Sequence, residues 1–367
     1  MEDHHREVLD LTQDLIRFRT TASRPGEIAR CLDFVTAYLD DHGIGHRRLT
    51  HDGVVSILVP FGEGSPRVLL MSHLDVVEGP DAIFEPKIIG DRLFGRGSID
   101  DKYAVALSLV LCRLHREQMQ KRGLDPATLP FGLLITSDEE TGGERGAKPA
   151  LEAVRPDFCI ALDGGSLDQI IVKEKGILRL RLVARGTAAH GARPWLGKNA
   201  IEALMVDYRN LAGLFDETSP DHWHRTLNLG IIRGGKAVNQ VPDHAEAVLD
   251  IRYTETDAPR DLVAQIRGRV SSEVIVDEIE PLFYGGRSPF LDLLLSLSPD
   301  TITGFEHGAS DARYLMAHGV PGIVWGPDGD LSQHSPEEHI NLPSLVALFD
   351  RLSAFMTAVL EGEVAGP

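Results

Sequence analysis

The chain has 367 residues, 43% hydrophobic and 25% charged, which is the composition of an ordinary soluble globular protein long enough for two domains. Lys and Arg number 37 against 55 Asp and Glu, a formal charge of -18, so phosphate backbones of nucleic acids and anionic membrane surfaces are not expected partners. No apolar run approaches the roughly 18–20 residues of a membrane helix, and Met1-Glu2-Asp3-His4-His5 has neither the basic nor the apolar segment of a secretory signal.

Glu7 to Phe18 and Glu27 to His42 carry apolar residues at helical spacing, the second stopping at Gly43, a favoured residue just past a helix end. Val54 to Val59 and Arg67 to Met71 read as strands, the latter running into His73-Leu74-Asp75. Ile88 to Phe94 predicts a hairpin around Gly90-Asp91, which leads into Gly95-Arg96-Gly97-Ser98-Ile99-Asp100-Asp101-Lys102 and a long helix from Tyr103 to about Met119. Phe131 to Thr136 is a strand entering Asp138-Glu139-Glu140-Thr141-Gly142-Gly143, and Phe158 to Leu162 another entering Asp163. Cys31, Cys112 and Cys159 lie far apart among apolar neighbours and read as buried thiols of a cytoplasmic protein.

From Lys173 the texture changes. Leu178, Leu180 and Leu182 alternate with Arg179, Arg181 and Val183, a half-buried strand. The stretch Gly186 to Pro194, a helix from Asn199 to Phe215, strands Thr226 to Arg233 and Ala245 to Tyr253, a helix near Leu262 to Val270 and a strand Glu273 to Ile279 follow. That β-α-β-β-α-β order is ferredoxin-like. Around Tyr284-Gly285-Gly286 the chain is expected to rejoin the first domain; Gly308 to Arg313 opens a helix, Val320 to Trp325 is a last strand, and Leu342 to Leu360 is the closing helix. The expected fold is α/β: a mixed-sheet domain flanked by helices, residues 1–172 and 285–367, with an inserted α+β domain at 173–284.

His73, Glu139, Glu140 and Asp163 each follow the carboxyl end of a predicted strand, the edge where open α/β sheets form ligand sites. With Asp100 and His334 they make a set of imidazoles and carboxylates suited to a pair of borderline divalent ions, most often zinc. A carboxylate can bridge two ions about 3.5–4 Å apart. Asp100, Glu139, Glu140 and Asp163 would balance two such cations; without metal, four clustered carboxylates repel. Neighbouring side chains in extended backbone point different ways, so one of Glu139 and Glu140 can hold metal while the other acts as a base. Taken singly, His190 suits a solvent-facing loop, Arg252 and Arg313 suit structural ion pairs as well as ligand contacts, and His334 to Glu338 suits the N-cap region of the last helix. Gly95-Arg96-Gly97 is an incomplete phosphate loop.

His73-Leu74-Asp75, Gly95 to Lys102, Asp138 to Gly142, Asp163 and His334 with Glu338 together resemble the motifs, in order, of the zinc metallopeptidase family of acetylornithine deacetylase, succinyl-diaminopimelate desuccinylase, carboxypeptidase G, aminoacylase and the carnosinase-type dipeptidases. Gly186 to Pro194 and Gly235 to Pro242 resemble that family's lid and dimerisation domain. The resemblance implies two Zn²⁺ per subunit, with Co²⁺ or Mn²⁺ as substitutes: His73 and Asp163 on one, Glu140 and His334 on the other, and Asp100 bridging, with a cis Asp100–Asp101 bond. It further implies Glu139 as general base, Asp75 as the residue that orients His73, His190 from a partner subunit at the oxyanion, and Asn239, Arg252 and Arg313 at a substrate carboxylate. Tyr103 stands where most members have Gly, which implies a differently shaped cleft wall.

The implied activity is hydrolysis of peptide or N-acyl amino acid amide bonds by a metal-bridging hydroxide, in a homodimer. Asp163, where several deacylases have Glu, leans it toward a dipeptidase or exopeptidase. An N-acyl amino acid deacylase is the alternative, and a non-catalytic metal-binding protein on the same fold the remote one. A nucleotide-binding enzyme would need a complete Gly-rich loop, which is absent.

Overall fold

The structure, a computed structural model, describes residues 2–63, 67–329 and 331–364. In chain order its elements are α1 (Asp3–Arg17), α2 (Pro25–Asp41), β1 (Arg47–His51), β2 (Val54–Val59), β3 (Val68–His73), β4 (Lys87–Ile89), β5 (Arg92–Phe94), α3 (Lys102–Lys121), β6 (Phe131–Thr136), α4 (Ala147–Ala153), β7 (Phe158–Ala161) and β8 (Gln169–Glu174). There follow β9 (Gly176–Arg185), α5 (Ala200–Leu211), β10 (Thr226–Gly234), β11 (His244–Tyr253), α6 (Pro259–Arg269) and β12 (Glu273–Glu280). The last are β13 (Phe283–Tyr284), α7 (Pro289–Leu297), β14 (Ile302–Glu306), β15 (Gly322–Val324), β16 (His339–Asn341) and α8 (Leu342–Leu360).

The chain divides into two compact units, one of Met1–Lys173, Tyr284–Glu306 and Ser310–Pro367, the other of Glu174–Phe283 and His307–Ala309. In the first, a large mixed sheet runs β1-β2-β6-β3-β7-β15-β8-β13, with β14 also on β8. Its centre, β6-β3-β7-β15, is parallel. Those strands are largely apolar because both faces are covered: every residue of β3, β6 and β7 is buried, down to the polar ends Ser72-His73 and Thr136. The helices α1, α3 and α8 contribute Leu15, Ile16, Val105, Leu109, Leu348 and Phe355 to the core beside it.

In the second unit, β9-α5-β10-β11-α6-β12 gives an antiparallel sheet of order β10-β11-β9-β12. Leu204 and Leu211 of α5 and Leu262 and Ile266 of α6 pack on Leu178, Leu180, Leu249 and Ile251 of that sheet. This is the β-α-β-β-α-β order the sequence predicts.

Three local expectations are corrected. Gly308 to Arg313 does not open a helix: Asp311–Tyr314 and Met316–His318 are short 3₁₀ turns, and Gly319 at φ +66° followed by Pro321 halts them. The cap of α8 is not the His334 to Glu338 stretch but Asn341, whose side chain accepts from the Ser344 N–H. And α8, 19 residues with mean hydropathy 1.4, is long and apolar enough to cross a membrane. Its Leu345, Leu348, Leu352, Phe355 and Met356 are instead buried in the first unit's core.

Candidate metal centre

Parallel pairing sets the strand ends level. His73 ends β3 and pairs in register with Thr136, which ends β6; Met71 pairs with Ala161, which ends β7. Glu139 and Glu140 therefore occupy the 3₁₀ turn three residues beyond β6, and Asp163 lies two residues beyond β7. Asp100 arrives from the β4–β5 hairpin, and the Asp100–Asp101 peptide is cis. His334 comes from the loop between β15 and β16.

Asp100 lies between two imidazoles. One carboxylate oxygen is 3.0 Å from His73 Nε2, the other 3.1 Å from His334 Nε2. Asp163 Oδ1 stands 3.7 Å from His73 Nε2, and Glu140 Oε2 stands 3.2 Å from His334 Nε2. Two triads result, His73-Asp100-Asp163 and Asp100-Glu140-His334, each with donor atoms within 4.8 Å of one another and Asp100 common to both. His73 Nδ1 faces the Asp75 carbonyl at 3.0 Å. A carbonyl only accepts, so Nδ1 carries the proton and Nε2 is the free ligand atom. That Nε2 is buried and, despite its near carboxylates, lacks the alignment of a hydrogen bond. Two imidazoles and three carboxylates with an orphaned, inward-facing nitrogen fit a pair of divalent cations.

The ionisation of the metal-free groups reflects crowding. Burial pushes Asp163 up to about 6, against the pull of His73. Burial also raises Glu139 well above the usual carboxylate range, and the nearby Asp163 adds to this. Burial works against an ionised Asp100 too, but the His334 and His73 imidazoles overcome it and hold the carboxyl low. Asp100 and Glu140 in turn hold the His334 imidazolium, up to about 10. Groups that hold protons this way exchange them for a cation of higher charge.

The surroundings fix the ligands. Asp75 does more than face His73 across 3.5 Å: its two carboxylate oxygens accept the backbone N–H groups of Glu139 and Glu140 at 3.2 and 3.1 Å. Glu139 shares the lining of a small cavity with His73, Asp163 and Asp311. Arg313 is buried, donates to the Gly142 carbonyl at 2.8 Å, and lies 4.0 Å from both Glu139 and Asp311. The guanidinium so placed braces the Glu139 turn. Tyr103 lines no cleft wall: it is fully buried and its hydroxyl donates to the Leu162 carbonyl. Gly326 makes the room, since a Cβ there would sit 2.9 Å from that hydroxyl.

Three residues that the sequence left without a role surround the site. Asp311 accepts from Thr136 Oγ1 at 3.1 Å; the buried Arg96 and Glu338 form an ion pair. The signal for Arg96 was its place in Gly95-Arg96-Gly97, where a charged residue has no turn-forming reason to be.

His190, Asn239 and Arg252 lie in the second unit. His190 and Asn239 are exposed, His190 Nδ1 accepting from Ala192 N–H at 3.1 Å and the Asn239 carbonyl from Gly191 N–H at 2.7 Å. Arg252 Nε donates to Asp250 at 2.8 Å. A further donor group joins His4 and His5, in the first turn of α1, to Asp350 of α8; the α1 dipole disfavours a cation there, and both imidazoles pack on Phe349.

Residues 69–358 match the family model described as Peptidase family M20/M25/M40. Among curated relatives, a probable carboxypeptidase of Uncinocarpus reesii is 26% identical over 97% of this chain and 87% of its own length. A succinyl-diaminopimelate desuccinylase of Rhizorhabdus wittichii is 28% identical over 96% of this chain and 98% of its own. Among solved structures, a tripeptidase of Staphylococcus aureus superposes with TM-score 0.77 at 18% identity, covering 97% of this chain and 98% of that one. A Bacillus subtilis protein described as a dinuclear metal-binding peptidase superposes with TM-score 0.64 at 15% identity, covering 98% and 99%.

Proposed function

The chain belongs to peptidase family M20/M25/M40, and from that premise we propose that it is a two-zinc hydrolase of amide bonds. Its substrates are small peptides or N-acyl amino acids with a free carboxylate. The observation that carries this is Asp100 set between His73 and His334 at 3.0 and 3.1 Å, with Asp163 and Glu140 flanking. His73, Asp100 and Asp163 would hold one cation, and Asp100, Glu140 and His334 the other; zinc is the metal proposed, with Co²⁺ or Mn²⁺ as substitutes. When bound, such a pair lowers the pKa of water and polarises a carbonyl.

The chain's own residues do the rest. Glu139, in the turn that follows β6 and beside His73, takes the proton from the attacking water and returns it to the leaving nitrogen. Arg313 and Asp75 hold that turn. His190, supplied by a second copy, stabilises the oxyanion, and Asn239 and Arg252 meet the substrate carboxylate. Support for a homodimer comes from β10, an edge strand of its sheet whose Ile231 and Ile232 are exposed, as are Trp195, Leu196 and Val238 of the same unit; unpaired apolar edges favour association. The buried thiols of Cys31, Cys112 and Cys159 suit the reducing cytoplasm.

Asp163 favours the dipeptidase or exopeptidase reading, and the carboxypeptidase relatives lend it support. The desuccinylase relative supports the deacylase alternative. A hydrolysis screen across dipeptides, longer peptides and N-acyl amino acids, run beside metal analysis, decides between them. No turnover of any of these by metal-loaded protein removes both.

A further inference from the structure

Glu338 reaches back to three consecutive residues of the Asp100 loop. Its backbone carbonyl accepts from Gly95 N–H at 3.0 Å, one carboxylate oxygen takes the Arg96 guanidinium, and the other accepts from Gly97 N–H at 2.7 Å. Arg96 also donates through Nη2 to the His334 carbonyl at 3.3 Å. Both side chains of the pair are buried, at 3% and 2% exposure. Adjacent β16 and β5 pair His339 with Phe94, so the clamp continues a ladder between segments more than 230 residues apart. Gly97 is needed at its place: it has φ +85°, and a Cβ would meet Lys102 Cδ at 2.7 Å.

The two metal triads are not equally supported. His73 ends a central buried strand, and Asp163 follows another. His334 sits in a loop, half-exposed at 54%, with φ +60°, a conformation that a non-glycine residue keeps only where its surroundings enforce it. The contacts that enforce it are those of Arg96 to the His334 carbonyl and of Glu338, four residues on, to the Asp100 loop. A buried charge-assisted pair is well suited to fix geometry, since either partner alone leaves an uncompensated charge.

We propose that Arg96 and Glu338 are positioning residues that set the reach of His334 toward Asp100 and thereby tune the affinity of the Asp100-Glu140-His334 cation, leaving the His73-Asp100-Asp163 cation largely unaffected. The inference rests on the two-metal reading above. Residues that orient ligands in this way carry about 10–100-fold in metal affinity.

The test uses the full chain, stripped with a chelator and titrated with Zn²⁺ against a chromophoric competitor, in wild type and in E338Q and R96K. E338Q keeps the size and the acceptor for Gly97 N–H but loses the ion pair; R96K keeps the charge but loses the fork. The expected result is two equivalents in wild type, and in each variant one equivalent unchanged and the other bound about 10–100-fold more weakly, with activity recovered at excess Zn²⁺. Should one variant fail to fold, the other is read by the same criterion. Wild-type affinities for both equivalents in the variants overturn the proposal, as does equal weakening of both, which marks a fold contact only. A wild type that binds no pair of cations overturns the two-metal reading itself, which separates that failure from this one.

Discussion

Asp75→Asn perturbs the turn that carries Glu139 and Glu140 without changing its size. In the native chain both carboxylate oxygens accept, one from Glu139 N–H at 3.2 Å and one from Glu140 N–H at 3.1 Å. An asparagine can accept only one; its amide nitrogen would face the other N–H, donor against donor. The site is buried, so the orphaned amide costs about 1–3 kcal/mol. Because the same turn supplies the Glu140 ligand and the Glu139 base, the cost should fall on function: metal affinity lower by about 10–100-fold and a matching loss in kcat/KM. Chelator competition and steady-state hydrolysis measure the two. Asp75→Asn with native metal affinity and native kcat/KM would refute the reasoning, as would a loss of thermal stability that leaves both untouched.

Glu139→Gln keeps the turn and the ligands but removes the proton acceptor; two bound cations with turnover reduced about 10²–10⁴-fold are expected, and undiminished turnover removes Glu139 as base. Gly143→Ala places a methyl 2.0 Å from Asp311 Oδ1 at φ +65°. The left-handed backbone alone costs about 1–2 kcal/mol, and Asp311 is pinned by Thr136, so calorimetry should show a lower Tm; an unchanged Tm contradicts this packing. His115, buried on α3 near Ser353 of α8, has its pKa pushed down to about 4 by burial. Below the unfolded value near 6.5 the unfolded chain gains a proton that the folded one refuses. That stability is therefore complete above about pH 6.5 and is lost as pH falls to about 4, by about 3 kcal/mol at most. Urea unfolding of His115→Leu should lose less stability over that window than wild type; parallel curves would dismiss the assignment.

The central sheet was legible because its strands are short, apolar and punctuated, and because His73, Glu139 and Asp163 mark their carboxyl ends. Parallel register then did what no local pattern could, bringing residues ninety positions apart to one edge. The 3₁₀ turns at Asp311 and Met316 were misread as a helix because an apolar, Ala-rich stretch after Ser310 carries helical propensity that Gly319 and Pro321 cut short. Asp75 was recognised as the companion of His73, yet its second task, accepting the Glu139 and Glu140 amides, lies in backbone geometry that side-chain spacing does not encode. Arg96 and Glu338 each stand within a recognisable motif, but 242 residues separate them, and no local pattern encodes their pairing. Tyr103 shows the converse: a departure that looked like a change of cleft is absorbed by Gly326, and only packing reveals it.

Metal-dependent amide hydrolysis by a bound pair of cations can be measured directly. Chelator-stripped protein titrated with Zn²⁺, while hydrolysis of dipeptides and N-acyl amino acids is followed in the same samples, should show no turnover at the start and full turnover as the second equivalent per chain is bound. Hydrolysis by the stripped protein, or two bound equivalents with no hydrolysis of either substrate class, would contradict it.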